Sequence, residues 1–347
     1  MSLSKKQILS VISRELPDFS PTGELRPLSG GNLNQVWRLE GKPENLIVKH
    51  APPYITSDPE VSLSPERIHF EAKALKLFEK NGALQFIGSD HIRPPHIYQF
   101  DKAEHLLIME DVGEAPYITK WLVNKASKSD AYLAAVLGDF IGQLHSYTFQ
   151  NKLFKNHFNN SDIQQTRVEM QYKPAAEYAK RAGITDVEVI RTKTETLGKK
   201  LLSQGCCLIM GDLWPPSVLV KDGKIRLVDW EFAHYGRPLQ DVAHFSAHFW
   251  MQAHISPKNK KRFLNCWKQF WGGYRQALGE KFTTVFDEEE LNNAATHIGA
   301  EILIRAAGPF KKGYVYEDFD SDSRMIKDAR KKAQELILAD DFSSLWN

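Results

Sequence analysis

A short hairpin bordered by carboxylates constrains this chain more than any other feature of its sequence. Two apolar runs, residues 218–220 and 225–228, flank an Asp-Gly pair, which supplies the positive φ angles of a tight turn. Asp212 precedes the first predicted strand, and Asp229 and Glu231 follow the second. Folding brings all three carboxylates to one end of the hairpin, where they repel each other. A protein commonly neutralises such a group with Mg²⁺ that holds a polyphosphate.

Composition and charge exclude several other classes of protein. The 347 residues can bury a large core and predict two lobes or domains. With 45 basic and 43 acidic side chains the net charge is +2, which gives no reason to expect a nucleic-acid or membrane partner. Three cysteines form no disulfide or zinc framework, no signal peptide is apparent, and no stretch approaches the ~20 apolar residues of a membrane span. We therefore expect a cytoplasmic protein.

The N-terminal part of the chain predicts a small antiparallel sheet. Strands are predicted at residues 25–28, 35–39 and 46–49, and again at 95–101 and 105–110. Between the two groups, residues 64–81 predict a helix with Ser64 as its cap and a proline in its first turn. The composition changes from strand-rich to helix-rich at residues 111–113. We place a lobe boundary there, which gives a first lobe of residues 1–112 and a second of residues 113–347.

Three features of the first lobe suit nucleotide binding, and each has a plain structural alternative. Gly30, Gly31 and Asn32 form a turn that lets backbone N–H groups approach a phosphate, although most such turns only connect strands. Lys49 ends an apolar strand, where a solvated surface lysine is the alternative. Glu71 stands one position past an apolar helical stripe and can either face Lys49 or remain exposed.

The second lobe is predicted to be mainly helical. Apolar periodicity predicts helices at residues 131–147, 163–181, 186–203, 239–254, 258–278, 287–307 and 323–338. His145, near the end of the first of these, is expected to bond locally rather than to bind a metal. His244 and His248 lie four residues apart on one helix, but without a His-Glu-x-x-His arrangement they do not predict a metal site.

Two short motifs give the chain a specific resemblance. A sheet lobe with a glycine turn, joined to a helical lobe with clustered carboxylates, suits phosphoryl transfer. Residues 210–217, Met-Gly-Asp-Leu-Trp-Pro-Pro-Ser, and residues 228–231, Val-Asp-Trp-Glu, resemble the catalytic and metal motifs of the aminoglycoside-phosphotransferase and choline-kinase family. The resemblance implies an α+β, bilobal, protein-kinase-like fold: an antiparallel sheet with one main helix, and a larger helical lobe that carries the hairpin.

The same resemblance implies roles for the matched residues. Asp212 would be the catalytic carboxylate that orients a substrate hydroxyl and accepts its proton, and Asp229 would bind the Mg²⁺ that bridges the phosphates of ATP. Lys49 would hold the α and β phosphates, with Glu71 as its orienting partner. The remaining implied contacts are Gly30, Gly31 and Asn32 over the phosphates, backbone groups near Glu110 and Val112 at the adenine, and Ser217 and Glu231 at the metal.

Departures from the family pattern keep a second class of function open. Ser217 stands where the family has a metal-binding asparagine, a loss for which Glu231 compensates. Met210 replaces the histidine that supports the catalytic loop, so we expect this support to come from packing. Both departures suit a pseudokinase, a binding protein with the same fold, whereas the retained charged residues argue for an enzyme. A protein kinase is disfavoured, because no arginine precedes Asp212 and no Asp-Phe-Gly begins an activation loop.

A further similarity to methylthioribose kinases bears on the acceptor. It lies in residues 31–36, 47–55 and 66–72, and residues 299–305 resemble their late segment with one of its two arginines, Arg305, retained. Methylthioribose or a related sugar is the leading acceptor, while choline, an amino alcohol and an aminoglycoside are alternatives. The resemblance also suggests a homodimer. Candidates to line the acceptor pocket, each with a structural alternative, are Trp214, His234, Tyr235, Arg237 and Arg305.

Overall fold

A five-stranded antiparallel sheet forms the centre of the N-terminal part of the protein. The structure is a computed structural model, and it describes residues 3–28, 33–124, 130–203, 205–312 and 314–346. The strands of this part, β1 to β10 in chain order, are Ser20–Pro21, Arg26–Pro27, Gln35–Leu39, Gly41–Lys42, Leu46–His50, Tyr54–Ile55, Asp58–Ser62, Ile92–Arg93, Ile97–Asp101 and Leu106–Glu110. The sheet has the order β2-β3-β5-β10-β9 with antiparallel neighbours. It contains all five strands predicted from the sequence.

Alternation along β5 decides which side chains reach each face of the sheet. Leu46 and Val48 pack with helix α1, Lys5–Glu15, in a small apolar cluster. Lys49 lies between them and His50 in a strand whose successive side chains point to opposite faces. Its ammonium reaches helix α2, Arg67–Phe78, which covers the other face. Strand periodicity thus carries a charged group to the α2 side of the sheet.

Helix α2 begins later than the sequence predicts. Glu66 is the N-cap without a side-chain cap bond, and the Ser64 hydroxyl accepts only a long bond of 3.4 Å from the Glu66 N–H. The predicted cap at Ser64 is therefore wrong. The buried guanidinium of Arg67 donates to the carbonyl oxygens of Leu33 and Ser64, at 2.9 and 2.7 Å, and holds the preceding segment outside the helix.

The C-terminal part is mainly helical, as predicted. Its helices, α3 to α13, are Ile118–Asn124, Asp130–Thr148, Lys152–His157, Ser161–Arg167, Ala175–Arg181, Val187–Ser203, Leu239–Ile255, Lys260–Leu278, Phe282–Val285, Glu288–Ala307 and Arg324–Ala339. The single helix predicted at residues 163–181 is divided. A π turn, Val168–Tyr172, follows α6, and Pro174, which has no N–H to continue a helix, precedes α7.

Helices α4 and α10 approach each other closely because glycines stand at their contact. A Cβ on Gly138 of α4 would lie 1.9 Å from the carbonyl oxygen of Phe270. A Cβ on Gly273 of α10 would lie 2.2 Å from the carbonyl oxygen of Ala135. Helix α9 packs against α10 and α12 and is buried along most of its length. Asp241 of α9 accepts the Met210 N–H and lies 3.1 Å from His145 Nε2 of α4, so both helices support the start of the segment of residues 210–217.

The hairpin predicted in the middle of the chain is present. Four further strands, β11 to β14, are Cys207–Ile209, Val218–Lys221, Lys224–Leu227 and His234–Gly236. Strands β12 and β13 pair antiparallel around Asp222 and Gly223, whose φ angles are 51° and 74°. Strand β8 pairs parallel with β13, so a strand from the N-terminal part completes the hairpin sheet.

One apolar cluster spans the predicted lobe boundary. Ala51 and Ile68, from residues 1–112, belong to the same cluster of buried side chains as Leu137 and Leu303 from the second lobe. Within the described ranges, no helix combines the length and the apolar content that crossing a bilayer requires.

Candidate active site

Lys49 meets three carboxylates at the junction of sheet and hairpin. Its Nζ donates to Glu71 Oε1 at 3.1 Å and to Asp229 Oδ1 at 2.9 Å, and it also contacts Glu231. Lys49 and Glu71 are buried, whereas about half of the Asp229 side chain is exposed. Of the two alternatives that the sequence left for Glu71, the structure has the one in which it faces Lys49. Asp229 and Glu231, which follow the second strand of the hairpin, contact the same Lys49 ammonium.

The electrostatics of this cluster favour a further positive charge. Burial alone lowers the pKa of Lys49, but the carboxylates of Asp229, Glu231 and Glu71 outweigh it and hold that pKa well above its ordinary value. Burial raises the pKa of Glu231 to about 8, against the opposing effect of Lys49. One ammonium therefore faces three carboxylates, of which one holds a proton readily.

The carboxylates of this cluster fit a divalent metal. Ligand oxygens of Glu71, Asp229 and Glu231 lie within 4.8 Å of one another. Carboxylate oxygens are the ligands that Mg²⁺ prefers, and the exposed Asp229 leaves one side open to solvent and to a phosphate. The donor set thus suits a Mg²⁺ that also binds a nucleotide.

Asp212 has different partners. It follows β11 through Gly211, and its Oδ1 accepts a 2.5 Å bond from Arg167 Nη2 and lies 3.4 Å from His244 Nε2. Burial raises the pKa of Asp212, but the charge of Arg167 and the contact with His244 outweigh it, so this pKa lies below its ordinary value. Asp212 is therefore an ionised carboxylate with a fixed oxygen. No sequence motif indicates Arg167, which stands 45 residues before Asp212 at the end of α6.

Asp241 supports the segment that carries Asp212. Its Oδ1 accepts the Gly211 N–H at 2.7 Å, and its Oδ2 accepts the Met210 N–H at 2.9 Å and lies 3.1 Å from His145 Nε2. The support expected from packing alone thus also comes from a buried carboxylate on α9. The local bonding predicted for His145 is wrong, because its partners, Asp241 and Tyr274, are distant in the sequence.

The remaining described residues assigned to the nucleotide and metal have partners within the protein. The Ser217 hydroxyl donates to the Trp214 carbonyl oxygen at 2.8 Å, and the Ser217 N–H donates to the same oxygen at 3.0 Å and closes a 3₁₀ turn. The Glu110 carboxylate pairs with Arg93 at 2.6 Å, and the Val112 carbonyl oxygen accepts a bond of 3.3 Å from Lys221. The turn assigned to the phosphates, Gly30, Gly31 and Asn32, lies outside the described residues.

The acceptor candidates separate into two groups. The guanidinium of Arg305 lies over the rings of Trp214 and Tyr314, at 5.0 and 4.9 Å from their centroids. We call the rings of Trp214 and Tyr314 the aromatic wall. Among the contacts of the described residues, none joins Tyr235 or Arg237 to this wall. The Tyr235 hydroxyl donates to the Cys206 carbonyl oxygen at 2.8 Å, Arg237 Nε donates to Glu290 at 2.7 Å, and His234 Nδ1 lies 2.7 Å from the Phe232 carbonyl oxygen.

Glu301 is a further buried group that the sequence did not single out. It accepts a 2.7 Å bond from Arg305 Nε and lies 3.2 Å from His248 Nε2. Burial raises the pKa of Glu301, but Arg305 and the neighbouring histidines outweigh it and hold that pKa well below its ordinary value. The carboxylate that His244 and His248 lack in their own helix thus comes from α12, and it already has a cationic partner.

These parts define the class of protein. A sheet lobe that presents a lysine to hairpin carboxylates, above a helical lobe with a separate fixed aspartate, is the arrangement of kinase-like phosphotransferases. The chain belongs to the phosphotransferase enzyme family, whose model matches residues 24–276. The family, the kinase-like fold class and the phosphotransferase class of enzyme predicted from the sequence are thereby confirmed.

Named relatives of the chain are kinases of small molecules. The 4-hydroxytryptamine kinase of Psilocybe cyanescens is 29% identical over 263 residues, which cover 70% of this chain and 72% of that protein. A methylthioribose kinase of Bacillus pumilus is 25% identical over 320 residues, covering 81% and 78%. The crystal structure of a choline kinase from Cryptosporidium parvum shares the fold, with a TM-score of 0.56 at 14% identity over 99% of this chain and all of that one.

Proposed function

We propose that this protein transfers the γ-phosphate of ATP, bound with Mg²⁺, to a hydroxyl of a small molecule. The observation that carries the proposal is the meeting of Lys49 with Glu71, Asp229 and Glu231, which joins the first lobe to the hairpin of the second. In this proposal residues 1–112 hold the nucleotide, and residues 113–347 supply the metal ligands, the catalytic aspartate and the acceptor pocket.

The nucleotide side follows from the charges of the cluster. Lys49, oriented by Glu71, binds the α and β phosphates and so exchanges carboxylate partners for phosphate oxygens. Asp229 and Glu231 would hold the metal, which when bound would neutralise charge on the transferring phosphoryl group. Backbone groups near Glu110 and Val112 are assigned to the adenine.

The acceptor side follows from the state of Asp212. Because its pKa is below the ordinary value, Asp212 is ionised and accepts a hydrogen bond from the acceptor hydroxyl. That bond orients the hydroxyl oxygen toward the phosphorus, and positioning supplies a large part of the rate in phosphoryl transfer. The hydroxyl proton is taken up by Asp212 as the new O–P bond forms and the bond from the γ-phosphorus to the bridging oxygen breaks, so that ADP leaves with that oxygen.

Two acceptor classes have support. The retained Arg305 and the methylthioribose kinase relatives favour methylthioribose or a related sugar. The aromatic wall of Trp214 and Tyr314, together with the 4-hydroxytryptamine kinase relative, favours a hydroxyl on an aromatic ring. An aromatic wall suits an indole ring by stacking, whereas a sugar would use the guanidinium of Arg305.

The experiment is ADP release from Mg-ATP against a panel of acceptors: methylthioribose, 4-hydroxytryptamine, choline, homoserine, hydroxylysine and aminoglycosides. Asp212→Asn is the control variant, and we expect it to retain folding and Mg-ATP binding while turnover falls by roughly 10² or more. An acceptor that raises ADP release in the wild type alone identifies the substrate class. Unchanged turnover in Asp212→Asn would remove Asp212 from the mechanism. If no acceptor responds and Mg-ATP gives no thermal stabilisation, the kinase proposal fails in favour of a pseudokinase.

A further inference from the structure

The two oxygens of Asp212 have unequal surroundings. Arg167 Nη2 donates to Oδ1 at 2.5 Å, and His244 Nε2 lies 3.4 Å from the same atom. Among the residues that the structure describes, none donates a hydrogen bond to Oδ2. A carboxylate held through one oxygen keeps the lone pairs of the other available in a fixed direction. The difference between the two oxygens is therefore due to Arg167 and His244, which both contact Oδ1.

Arg167 is built into the site rather than placed on its surface. Besides Asp212, the same Nη2 donates to the Gly211 carbonyl oxygen at 2.8 Å, and Nη1 donates to Gln171 Oε1 at 3.1 Å. The guanidinium lies 5.0 Å from the centroid of the Phe232 ring, and only 9% of its side chain is exposed. A planar fork bonded at several points holds the carboxylate in one orientation, which a flexible lysine would not do.

His244 begins a buried chain of polar groups that leads away from Asp212. Its Nδ1 lies 3.1 Å from His297 Nε2, and His297 Nδ1 lies 2.5 Å from the Tyr172 hydroxyl. All three side chains are buried. Burial raises the pKa of Tyr172 and lowers that of His297 well below its ordinary value, so the phenol keeps its proton and the imidazole is neutral.

These protonation states determine the direction of the hydrogen bonds that run from Tyr172 through His297 to His244. The hydroxyl of Tyr172 has His297 Nδ1 as its hydrogen-bond partner among the described residues, and it donates to that nitrogen. The proton of the neutral His297 ring then lies on Nε2 and is donated to His244 Nδ1. His244 consequently carries its proton on Nε2, which faces Asp212 Oδ1. The 3.4 Å contact is long, and catalytic hydrogen bonds of this kind often shorten when substrates bind.

We propose that Arg167 and His244 are positioning residues that hold Asp212 through Oδ1 and thereby reserve Oδ2 for the acceptor hydroxyl. The proposal rests on the proposed function, since it gives Asp212 its catalytic role. The π turn Val168–Tyr172 supplies both supports, Gln171 for Arg167 and Tyr172 for the histidine chain. We call Arg167 and His244, which hold Asp212, the clamp. Short π turns are common at functional sites, and this one places Gln171 against Arg167 and Tyr172 at the start of the hydrogen bonds that lead to His244.

A double-mutant cycle tests the positioning role. Arg167→Met should lower kcat about 10²-fold while leaving KM for ATP within about twofold, the scale of a misplaced catalytic group. In an Asp212→Asn background, where no carboxylate remains to be held, Arg167→Met should cost no more than about threefold, because groups that act as a unit are not additive. Arg167→Lys should recover part of the loss, and the exposed Arg324→Met is the matched control. Losses that multiply in the two backgrounds would overturn the proposal, since a purely structural role is additive.

A second measurement does not depend on turnover. In ¹⁵N-histidine-labelled full-length protein, long-range ¹H–¹⁵N spectra report which ring nitrogen carries the proton, and His244→Gln and His297→Gln assign the signals. We expect the proton on Nε2 of both rings, and Tyr172→Phe should disturb both. A proton on His244 Nδ1 alone would overturn the clamp even if the kinase reaction is found. The expected tautomers in a protein that phosphorylates no acceptor would leave the clamp intact and count against the proposed function.

Discussion

Replacing Asp241 by asparagine tests how the catalytic segment is held in place. The buried carboxylate of Asp241 accepts the N–H groups of Gly211 and Met210 and contacts His145. Asparagine has the same shape but only one acceptor oxygen, so its NH₂ group must face a donor on one side. Either the Gly211 N–H or the Met210 N–H then loses its acceptor within the protein interior.

The cost follows from these bonds. A hydrogen bond to a charged acceptor contributes about 1.5–3 kcal/mol, and a buried N–H left without a partner costs about 1–3 kcal/mol. Asp241→Asn loses one such bond, leaves one buried N–H unpaired and weakens the remaining bonds by removing the charge. We expect the free energy of unfolding to fall by about 3 kcal/mol. We also expect kcat to fall by at least roughly tenfold, because Gly211 immediately precedes Asp212 and a shift there misplaces the carboxylate.

Urea unfolding followed by tryptophan fluorescence measures the first effect, with the buried Trp230 among the reporters. Asp328→Asn is the matched control, because its carboxylate is exposed and pairs with the exposed Arg324 at 3.6 Å. It should change the free energy of unfolding by less than about 0.5 kcal/mol. A loss below about 1 kcal/mol in Asp241→Asn would refute the argument, since it would mean that the two N–H groups find other acceptors.

Three further predictions concern the metal, a proton and the helix packing. Asp229→Ala should abolish the Mg²⁺-dependent part of ATP affinity in calorimetry, while Asp328→Ala leaves it unchanged; an unaltered affinity would contradict the metal assignment. Because burial raises the pKa of Glu231 to about 8, Mg-ATP binding near neutral pH should release a proton and tighten as the pH rises toward 8. Equal binding heats in buffers of different ionisation enthalpy would rule that release out. Gly138→Ala should cost at least roughly 2 kcal/mol, since its Cβ meets the Phe270 carbonyl oxygen, whereas Gly272→Ala, with open space, should not destabilise; equal melting temperatures would disprove the close contact.

Local patterns predicted the parts of the site that local geometry controls. Lys49 reaches the α2 side because strand side chains alternate, whereas helical spacing left Glu71 either facing Lys49 or exposed, and the structure has it facing Lys49. Asp229 and Glu231 follow a hairpin whose turn residues are visible in the sequence. The strands β6 and β7 were not predicted, because β7 is exposed throughout and has no apolar alternation to reveal it.

The groups that hold Asp212 were not predicted, for the opposite reason. Arg167 lies on α6, whereas His244 and Asp241 lie on α9, and no local sequence period reveals how these two helices pack against each other. Glu301 could not be predicted for the same reason. No carboxylate stands near His244 and His248 in the sequence, and the one that contacts His248 comes from α12, more than fifty residues further along the chain. Such contacts are decided by how helices pack, which depends on the whole core.

The parallel pairing of β8 with β13 has a consequence for anyone who divides the chain. A cut after residue 112 would leave β8 in one fragment and the hairpin in the other, and it would open the apolar cluster that contains Ile68 and Leu137. Each fragment would also keep only part of the charge cluster, with Lys49 in one and Asp229 in the other. Kinase activity regained on mixing would therefore report reassembly directly, which makes this boundary a natural position for a split-enzyme sensor.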